Sequence, residues 1–238
     1  MKKWLLGLAV LAGCALGDAS TQMFMARPSS SAFLGFRLLD LDGNLVHWGE
    51  PGKGTVHVTY AFVRGPVQYR DARNCRTMAP LETMLARSGV GIEQFRSEAR
   101  AAFSMWEAVA DIRFREIDDP TRAGIIIGAQ GEPLGHAFAD VKYEADDGPW
   151  RQIERSLICL NPAKRWKIGF DGNLQVYDLR YTLAHEIGHA IGLDHAEPAG
   201  QIMSARYEER FRTLQTGDVR GAVQLYGLPR ASQAANSN

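Results

Sequence analysis

The chain has 238 residues, 45% of them apolar and 23% charged, and its 27 Lys+Arg balance its 27 Asp+Glu. That is ordinary globular composition, long enough for one substantial domain with appendages, so folding need not depend on disulfides or on a metal. A net charge of zero excludes the strong basic footprint of a nucleic-acid-binding protein, and no nucleic-acid partner is expected.

The N-terminus reads as a targeting segment. Met1-Lys2-Lys3 is a charged start, and Trp4 to Ala12 is an apolar stretch too short to span a bilayer. Leu11-Ala12-Gly13-Cys14 resembles the bacterial lipobox. That resemblance implies a signal peptide over 1–13, with Cys14 as the lipidated mature N-terminus and membrane attachment through the lipid. Ala15 stands where an Asp would resemble an inner-membrane retention signal, which in a Gram-negative host leans towards the outer membrane. The alternative is ordinary signal-peptidase cleavage after Ala15-Leu16-Gly17, giving a secreted or periplasmic protein. Both readings export the chain. Lipid on Cys14 would leave Cys75 and Cys159 as an even pair in an oxidising compartment. A disulfide between them and two buried free thiols both fit.

Residues 14–52 read as a tether, polar and small from Ser20 to Ser31 and turn-rich around Asp42-Gly43 and Pro51-Gly52. The alternating, β-branched stretch "TVHVTYAFV" (55–63) predicts a strand. Residues 64–90 are irregular, with a short helix in "APLETMLARSG". A long amphipathic helix follows over 92–112, with Phe95, Ala99, Ala102, Phe103, Trp106 and Val109 close to a 3.6 period. "RFREI" and "AGIIIGA" predict strands, the second apolar throughout, as a strand covered on both faces would be. "GHAFADVKY" predicts an edge strand, "YEADDGPWRQ" an acidic loop and "RSLICLN" another strand. Trp166, flanked by Lys164, Arg165 and Lys167, reads as the aromatic anchor of a surface turn. A helix over 178–192, a loop holding Met203 and a last helix over 216–226 with Thr216 as N-cap complete a domain spanning 53–228. The tail, 229–238, is expected to be disordered.

The chemistry is concentrated in "HEIGHAIGLDH" (185–195). His185 and His189 are four apart, so one helix face presents two imidazoles to one ion. Leu179, Leu183, Ile187, Ala190 and Ile191 fall on the other face and would pack inward. Glu186 flanks the histidines, close enough to bond a water held by the metal without ligating it. Gly192 can adopt a left-handed C-cap and return His195 towards the first two. Three neutral imidazoles with an open fourth position suit one catalytic Zn²⁺, with Glu186 as general base.

His185, Glu186, His189, Gly192, His195 and the later Met203 together resemble the metzincin zinc peptidases, whose motif is H-E-x-x-H-x-x-G-x-x-H with a downstream Met-turn. "AFSMWEAVADIRFREI", "AGIIIGA", "PLGHAF" and "LQTGDVRGAVQLYG" narrow the resemblance to the matrixins over about residues 54–228. Ala196 and Ala205 stand where other metzincin branches carry Glu and Tyr. The resemblance implies an α+β (α/β-type) metzincin fold. Its parts are a twisted, mostly parallel sheet with one antiparallel edge strand, three main helices, and an active-site helix followed by a Met-turn. It further implies zinc-dependent endopeptidase activity on protein or peptide substrates, by a monomer. Met203 would floor the metal, Gly135, His136, Ala137 and Phe138 would bind substrate backbone, and Tyr207 would either wall the specificity pocket or pack under the loop. The second, structural zinc of matrixins is not expected, because only His136 matches its ligand set; His136 reads instead as a strand residue with a hydrogen-bonded ring. Their glycine-rich calcium loop is missing; the acidic "YEADDG" could bind calcium but lacks ligand spacing, and a solvated loop is the alternative. No cysteine-switch propeptide precedes the domain. The competing function is a catalytically silent, zinc-binding surface lipoprotein that recognises a protein or envelope component.

Overall fold

The run Ile125–Gln130 is buried at every position, and the rest of the fold is arranged around it. The computed structural model describes residues 35–50, 52–145, 150–197 and 199–230. The expected signal peptide, Cys14 and residues 231–238 lie outside the described residues, as do Asp146 and Asp147 of the acidic loop. In chain order the strands are β1 (Arg37–Leu38), β2 (Asp40–Leu41), β3 (Asn44–His47), β4 (Val56–Phe62), β5 (Val67–Gln68), β6 (Thr77–Ala79), β7 (Ile112–Glu116), β8 (Ile125–Gln130), β9 (Ala137–Tyr143), β10 (Trp150–Leu160), β11 (Arg165–Lys167), β12 (Val176–Asp178) and β13 (Leu193–Asp194). The helices are α1 (Glu82–Arg87), α2 (Ile92–Glu107), α3 (Leu179–Ala190) and α4 (Thr216–Tyr226).

The main sheet runs β9-β10-β8-β4-β7. Its β10/β8, β8/β4 and β4/β7 pairs are parallel, and β9 lies antiparallel on β10 at the edge. Alternate residues of β8 explain its continuous apolarity. Ile125 and Ile127 face α2 and α3, joining Phe95, Phe103 and Trp106 in the larger core. Ile126 faces the other way, into a smaller cluster with Ala61, Val63, Cys75, Met78, Leu157 and Cys159. A disulfide joins Cys75 to Cys159 across that second face, with their Cα atoms 5.7 Å apart. Asp140 on β9 fastens the same segment by accepting the Asn74 and Cys75 N–H groups, each at 2.7 Å.

Four details differ from the sequence reading. Residues 35–50, expected within a tether, belong to the folded domain: β1 pairs with β13, β3 lies parallel to β10, and Val46 and Trp48 are buried. These pairings join positions over a hundred residues apart, so no local pattern announces them. Helix α2 ends at Glu107 rather than near 112. The chain turns there because the Val109 and Ala110 N–H groups both bond the Trp106 carbonyl, and Arg113 caps the Glu107 and Ala110 carbonyls. The N-cap of α4 is Gln215, not Thr216, in a capping box with Asp218. His136 precedes β9 and is exposed; its ring packs on Tyr177 at 4.1 Å between centroids instead of sitting within a strand.

Candidate metal centre

Helix α3 begins where the Asp178 side chain accepts the Tyr181 N–H at 2.9 Å, an N-cap that satisfies one of the helix's free donors. Leu179, Leu183, Ile187, Ala190 and Ile191 are fully buried, which sets the rotation of the helix and turns His185 and His189 to the opposite side. Trp106 of α2 donates its indole N–H to the Ala184 carbonyl at 3.0 Å and locks the helix at that depth. Glu98 of α2 adds a polar clamp, bonding Arg180 on α3 and Arg212 on the following loop; Arg212 also reaches Asp178.

Gly192 ends this arrangement with φ of +105°, and a Cβ there would lie 2.3 Å from the Val46 carbonyl oxygen. Both the backbone conformation and the close approach therefore require glycine. The chain reverses through β13 and brings His195 to the others. Ring nitrogens of His185, His189 and His195 come within 4.8 Å of one another, with centroid separations of 4.7 to 5.3 Å.

The two helix histidines have defined tautomers. His185 Nδ1 lies 2.7 Å from the Ile202 carbonyl oxygen, and His189 Nδ1 lies 2.8 Å from that of Leu193. A carbonyl can only accept, so each Nδ1 carries the proton and each Nε2 presents a lone pair. The two Nε2 atoms are 3.1 Å apart. Facing lone pairs at that distance repel unless a cation lies between them. Tetrahedral zinc with Zn–N bonds of about 2.0–2.1 Å needs a donor separation of roughly 3.3 Å. The residues present therefore fit the ion. Burial, followed by the repulsion of His189, lowers the pKa of His185 to about 3, and burial lowers that of His189 to about 4. Both rings are neutral at neutral pH, the form a metal requires.

Glu186 is buried beside this set, and its pKa is pushed up to about 8 by burial first and by the Asp140 charge second. Met203 packs directly beneath α3, where a Cβ at Gly188 would meet its sulfur at 2.2 Å. The turn carrying Met203 is held by Asp218 on α4, whose carboxylate accepts the Ile202 and Met203 N–H groups at 2.9 and 3.0 Å. The Met203 carbonyl accepts the Ala196 N–H at 2.8 Å, tying the turn to the residue after His195. Asp218 was missed by sequence reading; its position at the start of a helix, as N3 of a capping box, was the available signal.

A cleft of about 700 Å³ runs past the histidines. Gly135 and His136, just before the edge strand, and Ala137 and Phe138 on it line the cleft, together with Tyr177, Tyr181, Tyr207 and the segment Asp71–Asn74. Tyr207 stands edge-on to Tyr177 and Tyr181, each at 5.1 Å. Its hydroxyl accepts the Asp178 N–H and donates to Glu209. Leu39 and Leu41, from the stretch expected to be a tether, also line the cleft.

The comparisons agree with this geometry. A family model described as Matrixin matches residues 83–227, more than half of the chain. The chain is 32% identical to Metalloendoproteinase 1-MMP of Arabidopsis thaliana over 153 residues, which cover 57% of this chain and 38% of that protein. It is 31% identical to human Stromelysin-3 over 151 residues, covering 58% of this chain and 28% of that one. The chain thus spans well under half the length of these two relatives. A trio of histidines on a capped helix and its reversal, a buried glutamate, a methionine turn, an antiparallel edge strand beside the cleft and the family match lead to one conclusion: the chain belongs to the matrixin family.

Proposed function

We propose that the protein is a zinc-dependent endopeptidase, with His185, His189 and His195 as zinc ligands, Glu186 as general base and Met203 as the apolar floor. The observation that carries this reading is the facing pair of deprotonated Nε2 atoms, 3.1 Å apart, next to a buried carboxylate in an open cleft. Zinc, when bound, supplies Lewis-acid polarisation of the scissile carbonyl and makes a water more acidic.

The chain's own groups do the rest. Among the described residues β9 pairs only with β10, which leaves its other edge open beside the cleft. A peptide adding to that edge gains backbone hydrogen bonds at Gly135–Phe138, and Tyr207 walls the pocket for one of its side chains. Glu186 takes a proton from the attacking water as the water oxygen bonds to the carbonyl carbon. The C–N bond then breaks, and Glu186 returns the proton to the leaving amine nitrogen. Burial and the Asp140 charge favour the protonated form of Glu186 in the metal-free protein, and a bound dication would favour the ionised form that accepts a proton from water.

Hydrolysis of a quenched, mixed-sequence peptide library tests the mechanism. Wild-type protein with zinc should cleave, while Glu186→Ala should lose several orders of magnitude and still hold zinc. Equal turnover by the two would overturn the role of Glu186, and no cleavage by either would favour a silent binding module. Export with a lipid on Cys14 rests on residues 1–17 alone. Incorporation of labelled fatty acid into wild type, and its loss in Cys14→Ala, tests it.

A further inference from the structure

Residues 35–48 contact the elements that carry the metal centre at three places. At one end, the Gly35 carbonyl accepts the Gln201 side-chain amide at 2.7 Å, two residues before Met203. Gly217 of α4 is needed there, since a Cβ on it would lie 1.8 Å from the Gly35 oxygen. Phe36 is buried against Gly221 of α4, where Leu193 also packs. In the middle, Arg37 and Leu38 pair antiparallel with Asp194 and Leu193, and the Leu39 N–H bonds the Gly192 carbonyl at 2.8 Å. At the far end, the Trp48 indole bonds the Ala190 carbonyl at 2.8 Å, and the Trp48 N–H bonds the Tyr226 hydroxyl, which itself donates to the Ile191 carbonyl.

The central contacts fall on the short link between the second and third histidines. Leu193, opposite Leu38, supplies the carbonyl that sets the His189 tautomer. Asp194, opposite Arg37, accepts the His195 N–H on one carboxylate oxygen at 2.7 Å and the Arg37 guanidinium on the other. Gly192 gives the link freedom to reverse and equal freedom to wander, so something outside α3 must hold its path. Among the described residues, the β1 segment holds it at three successive positions, Gly192, Leu193 and Asp194.

Resting on the zinc reading above, we propose that Gly35–Leu39 is a positioning strand of the metal centre. It holds β13 so that His195, and the acceptor for His189, stay where zinc needs them. Groups that support metal ligands in this way typically change affinity about 10- to 100-fold when removed. The strand then sets how tightly the centre holds its ion, not merely whether the domain folds.

The test uses the full chain. Zinc affinity is measured by competition with a chromophoric chelator, alongside the melting temperature of the metal-free protein. Leu39→Pro deletes the N–H that bonds Gly192, and should weaken zinc about tenfold or more. Arg37→Ala should weaken it in the same direction by less, and Arg37→Lys should recover most of that loss. A purely structural strand would lower the melting temperature while leaving the zinc affinity of the folded protein unchanged, and that result overturns the proposal. The Arg37 side chain is 58% exposed, so Arg37→Ala keeps the core intact and decides the matter if Leu39→Pro fails to fold. Failure of wild-type protein to bind zinc would instead overturn the peptidase reading itself.

Discussion

The sulfur of Met203 lies against the backbone of Gly188, closely enough that a methyl group on Gly188 would sit 2.2 Å from it. Gly188 lies between Glu186 and His189, so the helix carrying two of the histidines rests directly on the methionine turn.

Gly188→Ala tests that contact. The added methyl group must displace Met203 or lift α3, and Trp106 is also within 3.0 Å of the new atom. Overpacking of this kind costs about 1–3 kcal/mol. Urea denaturation should register that loss, and zinc binding should weaken as the His185–His189 pair shifts from the turn. Wild-type stability in the variant would mean that the turn yields freely.

Asp218→Ala should be more damaging. Its buried carboxylate accepts the N–H groups of Ile202, Met203 and Gln215, which holds the methionine turn and caps α4 at once. Each buried donor left unsatisfied costs about 1–3 kcal/mol. A loss of several kcal/mol in chemical denaturation is expected, and a change below about 1 kcal/mol would show that water replaces the carboxylate.

The metal-free protein should be most stable near pH 6.5. His185 and His189 have folded pKa values of about 3 and about 4, against the ordinary 6.5 of histidine. Between those limits the unfolded chain binds more protons, so stability rises with pH up to about 6.5 and is lost as pH falls. Glu186 acts oppositely: its folded pKa of about 8 lies above the ordinary 4.5 of glutamate, so the folded state holds the extra proton and stability falls as pH rises through that window. Two histidines outweigh one glutamate below pH 6.5, and Glu186 dominates above it. Melting temperatures in a chelator should therefore drop on both sides of that maximum. Zinc should flatten the alkaline side, since a nearby dication favours ionised Glu186. A monotonic profile between pH 5 and 8.5 without metal would contradict the assignment.

Reduction of the Cys75–Cys159 bond should destabilise the domain strongly. The bond closes a sequence separation of 84 residues. The chain-entropy model assigns such a loop about 4–5 kcal/mol. Cys75→Ser with Cys159→Ser, compared with wild type in denaturant, checks this; a cost under 1 kcal/mol would place the stability of the second face in its apolar packing alone.

Much of the centre was written locally. The four-residue spacing of His185 and His189, the apolar stripe from Leu179 to Ile191 and the glycine at 192 specify a helix, its buried face and its reversal through interactions within one or two turns. The unbroken apolarity of residues 125–127 likewise marked a strand covered on both faces. Such features are legible because each residue's requirement is met by its near neighbours.

Other features were settled only when distant segments met. The stretch 35–48 looked like linker because its polar and turn residues have no period, yet it pairs with Leu193 and Asp194 and seals the end of α3. The sequence position of Asp218 marks it as a helix-capping residue, but only the fold brings its carboxylate to the N–H of Met203. The choice between disulfide and free thiols for Cys75 and Cys159 depended on which face of the sheet each reached. The raised pKa of Glu186 depends on burial that no single segment provides. Sequence by itself determined the chemistry on offer, because residue types and helical spacing are local. Tertiary structure decided how firmly that chemistry is held, because hydrogen bonds and charges act between atoms close in space, whatever their separation along the chain.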